Sequence, residues 1–316
     1  MNNKKWSFLG ILLIVLGFAG MAYQQFDFGE TLPSHQQKWT FDPGGLKALA
    51  IDSDYDVDVE FIDSPDGSNY VEISGNMKQE TIDRLKQTEL SGNTLQLNLK
   101  EDFDWNFFSI NFQSTRQQIT VALADRSPLE QISSKSRGSN GEFSGLNAAK
   151  IDLSVSSGNL RADSVVADQL SLAATSGNIT AEKIRGNTKI KLTSGNIKVE
   201  ELQGTLNAKS TSGNITAKKV EGPADAAVSS GHIRFEDYTG AGVFQTTSGN
   251  VTLSDQRSDS LDISVRSGNV TLSADEQFKG FYDLQTGSGN ITSPDSPRQT
   301  QDLIKVRTTS GDIRIR

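Results

Sequence analysis

The 316-residue chain has no cysteine, two histidines, three tryptophans and seven prolines. Without cysteine there is no disulfide framework, no thiol nucleophile, no thiolate metal site and no lipid-modified cysteine anchor. The two histidines, His35 and His232, leave little for metal or acid–base chemistry, and a serine nucleophile would need one of them beside a carboxylate. Trp6, Trp39 and Trp105 all precede residue 151, so the second half has no tryptophan platform for a sugar. A basic excess is missing too. The net charge is −8, with −9 over residues 24–150 and only −1 over residues 151–316, a balance that argues against nucleic acid as a partner.

One long apolar run stands out. Trp6 to Tyr23 reads WSFLGILLIVLGFAGMAY, 18 residues without a formal charge, enough to cross a bilayer. Lys4 and Lys5 precede it, so the positive-inside rule places the N-terminus in the cytoplasm and the remainder outside. The competing reading is a secretory signal cleaved near Gly20-Met21-Ala22. The expected organisation is a cytoplasmic tail at 1–5, a transmembrane anchor or signal peptide at 6–23, a linker or stalk at 24–45, a degenerate region at 46–150 and a regular region at 151–316.

The regular region repeats one word. Ser-Gly-Asn and its variants place glycines at 158, 177, 195, 213, 231, 249, 268, 289 and 311, a period of 18 residues that lengthens toward the end. Two residues after each glycine stands a branched aliphatic, as in Ile179, Ile197 and Ile215; the next residue is polar, as in Thr180, Lys198 and Thr216. That alternation is a strand with one face buried. A second mostly apolar column lies five residues before the glycine, as in Leu172 and Ile190, so each period holds two strands around a turn. Hairpins fix only their own loop, whereas stacked coils hold a period over nine copies. The expected fold is therefore all-β: a single-stranded parallel β-helix of about 18 residues per coil, after one N-terminal transmembrane helix.

In such a stack the asparagines form a structural ladder: Asn159, Asn178, Asn196, Asn214, His232, Asn250, Asn269, Asn290 and Asp312, with His232 and Asp312 replacing the amide. Asp312 is expected at the end of the ladder. Upstream, SDYDVDVEF at 53–61 and SGNTLQLNL at 91–99 look like earlier coils, with a short helix over Gln79 to Thr88. The aspartates 52, 54, 56 and 58 lack the glycine and distant glutamate of a calcium-binding hand and read as a solvated strand face. FDWNFFSINF at 103–112 suits a core plug or a membrane contact. Between Glu182 and Lys219, eight basic residues face three acidic ones. Here Lys189, Lys191, Lys209 and Lys218 are candidate contacts for an anionic polymer, with an ordinary solvated face as the alternative. No catalytic, cofactor-binding or metal-binding residue is expected.

A short N-terminal anchor, a tryptophan-bearing stalk and serial Ser-Gly-Asn-Ile coils without cysteine resemble the LiaG-like proteins, an adhesin-like family of unassigned activity, over nearly the whole chain. The resemblance implies a non-enzymatic binding or scaffold protein of the Gram-positive cell envelope, linked to envelope stress, with its C-terminal domain extracellular. Its expected partners are the cell membrane, an anionic wall polymer, lipid headgroups or an envelope-stress membrane protein, and self-association is also open. Two alternatives stand beside it: an enzyme acting on wall glycan or polysaccharide, and a self-assembling structural element.

Overall fold

A computed structural model of the chain describes residues 32–101, 115–125, 127–258, 260–273 and 275–316, together with Gly10, Ile14 and Val15. Apart from those three, the apolar run at 6–23 lies outside the described residues, as does the aromatic stretch at 103–112. Among the described residues no helix is long and apolar enough to cross a membrane.

The repeat builds a parallel β-solenoid. One coil shows the logic: strand Ile215–Glu221 buries Ile215, Ala217 and Val220, and strand Ala224–Ser230 buries Ala224, Ala226 and Val228. Ile215 stands in register with Ile197 on one side and Ile233 on the other, 18 residues away each way. Each fully buried aliphatic side chain contributes roughly 1.5–3 kcal/mol, and the stack makes one continuous apolar column of them. Strict alternation would turn Val220 outward. The chain avoids this with two consecutive exposed residues, Lys218 and Lys219, the second in the left-handed region at φ 53°. The same bend recurs at Ser164, Lys183, Glu201, Asp237 and Asp255.

The widest core side chains fall in one coil. Phe235, Tyr238 and Phe244 meet edge to face with centroids 4.9–5.7 Å apart. Alanines beside them in the stack leave the room: Ala217 is in register with Phe235, and Ala226 with Phe244.

The N-terminal end departs from the repeat. Strands Ala48–Ser53 and Asp56–Asp63 run parallel to their neighbours, but Asn69–Asn76 is antiparallel to Arg116–Leu123, and Ser34–Phe41 is antiparallel to Asn69–Asn76. Residues 34–41, read from sequence as part of a stalk, are thus a strand of this terminal cap. Helix Gln79–Lys86 closes the end, burying Thr81, Ile82 and Leu85. The Trp39 indole N–H donates to the Thr88 carbonyl at 2.8 Å and the Gln37 amide to the Leu85 carbonyl at 2.8 Å. The Ser-Gly-Asn at 91–93 is not a coil corner. Gly92 and Asn93 are both left-handed, at φ 55° and 63°, and make a tight turn closed between Ser91 and Thr94.

At the other end the coils are out of sequence order. Strand Leu303–Ser310 lies between Ser260–Ser267 and Phe281–Ser288, in parallel register with both. The C-terminal segment is therefore the penultimate coil and residues 281–292 form the outermost one. This corrects the expected position of Asp312. The physical reason is burial: the inner coil hides Ile304, Val306, Ile313 and Ile315, while the outer coil leaves Ile291 43% exposed. Phe278, stacked on Tyr282 at 4.9 Å, is buried near this end.

Candidate functional site

The corner of each coil is set by glycine. Gly195 has φ +128°, and a Cβ there would stand 1.7 Å from the carbonyl oxygen of Gly177 in the preceding coil, so no side chain fits. A second column, Gly186, Gly204, Gly222 and Gly240, forms another such corner on the far side of the coil.

Beside the first corner runs a side-chain ladder. Asn178 Oδ1 accepts the backbone N–H of Asn196 at 3.1 Å and its side-chain amide at 3.3 Å. Asn196 Oδ1 does the same for Asn214. Asn214 Oδ1 accepts the N–H of His232 at 2.9 Å, and His232 Nδ1 accepts that of Asn250 at 3.0 Å. The series continues from Asn250 to Asn269, Asp312 and finally Asn290, which is its last member. It also reaches back beyond Asn159: Asn140 Oδ1 accepts the Asn159 N–H at 2.8 Å, and Asp56 accepts the Asn140 N–H at 2.7 Å. Asn140 and Asp56 are members that the repeat search missed. Their signal was present in the strands that follow them, because Val57, Gly141 and Leu160 share one register.

The four lysines do not form one patch. Lys191 and Lys209 are direct register partners, and Lys189 stands two residues before Lys191 on the same outward face, opposite Asn207. Lys218 belongs to the other strand of its coil, in register with Glu200 and Glu236, and pairs with Glu236 at 3.1 Å. Lys219 pairs with Glu201 at 3.0 Å, which holds its ammonium above the ordinary range. Lys209 reaches Asp225 at 3.5 Å. Local carboxylates thus offset most of the stretch. Lys191 makes no ion pair among the described residues and lines a shallow depression of about 460 Å³. A second depression of about 650 Å³ adjoins it at Lys209 and Ser210, and together they form a trough along the solenoid axis.

The aspartate series is built into the fold. Asp52 pairs with Lys100, Asp54 accepts the Glu101 N–H at 3.0 Å, and Asp58 lies 3.8 Å from Arg116. Among the described residues no cluster of three His, Cys, Asp or Glu is placed to hold a metal. His35 sits on the cap strand with Nε2 3.1 Å from Gln37 Oε1, far in sequence from His232 in the ladder.

Stacked coils with two strands, glycine corners and an asparagine ladder define a parallel β-solenoid. The chain belongs to the Toastrack DUF4097 family, whose model matches residues 46–236 and 224–316. No curated protein is significantly similar to it in sequence. Among solved structures it is similar to a "putative lipid binding protein" of Parabacteroides distasonis, with 15% identity over 89% of this chain and 97% of that one, at a TM-score of 0.44. A "putative adhesin" of Bacteroides fragilis shows 18% identity over 72% of this chain and 95% of that one, at a TM-score of 0.39.

Proposed function

We propose that this chain is a non-enzymatic binding or scaffold module, held by its N-terminal apolar run on the outer face of the cell membrane. The observation that carries the reading is the unbroken corner ladder from Asp56 to Asn290. It makes a stiff rod whose exposed side chains stand in columns at a fixed coil spacing, which is how a surface for extended partners is displayed. The two lysines before the run at 6–23 support the orientation. Within its family the chain belongs with the LiaG-like envelope proteins of Gram-positive cells, in a role linked to envelope stress. Its partners are anionic: a wall polymer or the headgroups of the membrane.

The test is topology. Protease added to intact, wall-stripped cells should degrade the protein to a small membrane stub. Full protection overturns the proposal, and a mature N-terminus near Tyr23 replaces the anchored form with a secreted one.

One observation favours self-association as a second reading. Among the described residues the outermost coil, Phe281–Ser288 with Ile291–Thr292, pairs on one side only, which leaves its outer backbone edge for another strand. Light scattering on the detergent-solubilised full chain should then show dimers that Leu284→Pro abolishes. A monomer at all concentrations removes this reading.

A further inference from the structure

The trough beside the corner has two walls and a floor with different rules. Its floor is the inward position three residues before each corner glycine: Leu192, Ser210, Val228, Thr246, Val265 and Thr308, each slightly accessible at 4–7%. One wall, four residues before the glycine, drifts freely through Ser154, Ala173, Lys191, Lys209, Ala227 and Gln245. The other wall drifts far less, with Arg266 before Gly268 its one non-hydroxyl residue along the trough. Two residues before the glycine stand Thr175, Thr193, Thr211, Ser229 and Thr247, and one residue before it a serine in every coil, as at Ser194, Ser212 and Ser230. All of these are exposed. Their hydroxyls make no hydrogen bond within the described residues, although the strand residues on either side of the threonines stay in register from coil to coil.

The fold does not require those hydroxyls. Strand propensity accepts many residue types at an exposed position, as the drifting wall demonstrates. An exposed column that carries a hydroxyl in seven of the trough's eight coils, with donors and acceptors unused internally, is a surface poised for an external partner. The rows repeat about every 4.8 Å, and the trough spans eight coils from Ser154 to Thr309, roughly 34 Å. It is linear, so it fits a chain rather than a plane. It has no aromatic lining, so it offers nothing for a pyranose ring to stack on. Four cations stand along it in a protein of net charge −8: Lys191, Lys209, Arg266 and Arg307. Two are already partnered, Lys209 by Asp225 and Arg307 by Asp283, whereas Lys191 and Arg266 make no ion pair among the described residues.

We infer that the trough is a binding site for a linear polyol phosphate, its phosphates meeting Lys191, Lys209 and Arg266 and its hydroxyls meeting the threonine and serine columns. The assignment deepens the reading of the chain as a binding module and rests on it. Lys189 and Lys218 are outside the site, since neither lines the trough.

The full chain in detergent micelles is titrated with synthetic poly(glycerol phosphate), with polygalacturonate, polyglutamate and neutral dextran alongside. The parent should bind poly(glycerol phosphate) best, and more weakly as salt rises. Lys191→Gln with Lys209→Gln should lower affinity about tenfold or more. Thr193→Val with Thr211→Val should lower it about threefold or more without changing the salt dependence. Lys189→Gln with Lys218→Gln should bind like the parent. Equal binding by all variants overturns the assignment. Equal binding of all three polyanions reduces the site to charge attraction and overturns the hydroxyl role, and preference for dextran overturns the ligand class. If protease places the domain outside the membrane while no polymer binds, the trough assignment falls and the module reading stands.

Discussion

His232 Nδ1 accepts the backbone N–H of Asn250 at 3.0 Å, occupying the place that an amide oxygen takes in the coils around it. The imidazole therefore serves the ladder, and asparagine should serve it as well. His232→Asn should leave the unfolding midpoint within about 0.5 kcal/mol of the parent. His232→Leu strands the Asn250 N–H and should cost about 1 kcal/mol, the low end for a lost partner because water reaches this corner. Denaturant titration of the two variants checks the difference; equal midpoints would remove the ladder role of His232.

Gly195 is the position where a methyl group is least tolerable. Its Cβ would overlap the Gly177 carbonyl oxygen, and its φ of +128° is strained for any side chain. Gly195→Ala should cost about 3 kcal/mol or more. By contrast Thr216→Ser, on the exposed face of the adjoining strand, should be near neutral. Thermal melts of both variants test this pair.

The aromatic coil should be the most sensitive part of the core. Phe244→Ala removes a ring that contacts both Phe235 and Tyr238 and should cost about 3–5 kcal/mol. Gly242→Ala attacks the same ring from the other side, because its Cβ would stand 2.4 Å from Phe244 Cε2. The Tyr238 hydroxyl donates to the Ala241 carbonyl at 2.5 Å, and burial pushes the phenol well above its ordinary range. Tyr238 should therefore stay un-ionised while the fold survives, and absorbance titration should show it ionising only on alkaline unfolding.

The inverted order of the last two coils can be tested covalently in a chain that has no cysteine of its own. Ser267 is in register with Ser310, and Ser310 with Ser288. Neighbouring coils lie about 4.8 Å apart, inside disulfide range, and alternate coils about twice that. Ser267→Cys with Ser310→Cys should cross-link under mild oxidation, and Ser267→Cys with Ser288→Cys should not. The reverse result would restore the coils to sequence order.

Much of this architecture is legible in the sequence because the corner glycine is irreplaceable and its neighbours inherit its spacing. Legibility fails where the word changes while the backbone does not. Asp56 and Asn140 occupy ladder positions without the Ser-Gly-Asn word. At 91–93 the word appears in a different turn, since two left-handed residues in succession reverse the chain. The order of the final coils could not be read, because Ser288-Gly289-Asn290-Ile291 and Ser310-Gly311-Asp312-Ile313 carry equivalent signals. Only the burial of Ile304, Val306 and Ile315 separates them. The lysine stretch misled for a related reason. Nearness in sequence put Lys218 with Lys191 and Lys209, whereas the corner at Gly213 and the second strand turn it to a different face.

The central claim is that the corner amides hold the solenoid while the hydroxyls beside them are left free for a partner. Asn214→Leu and Thr211→Val, three residues apart in one coil, separate these roles in a single denaturant experiment on the full chain. Asn214→Leu removes the acceptor of the His232 N–H and should cost about 1–2 kcal/mol, while Thr211→Val deletes an unused hydroxyl and should stay within about 0.5 kcal/mol of the parent. If Thr211→Val destabilises as much as Asn214→Leu, the hydroxyl column belongs to the fold and the account is contradicted.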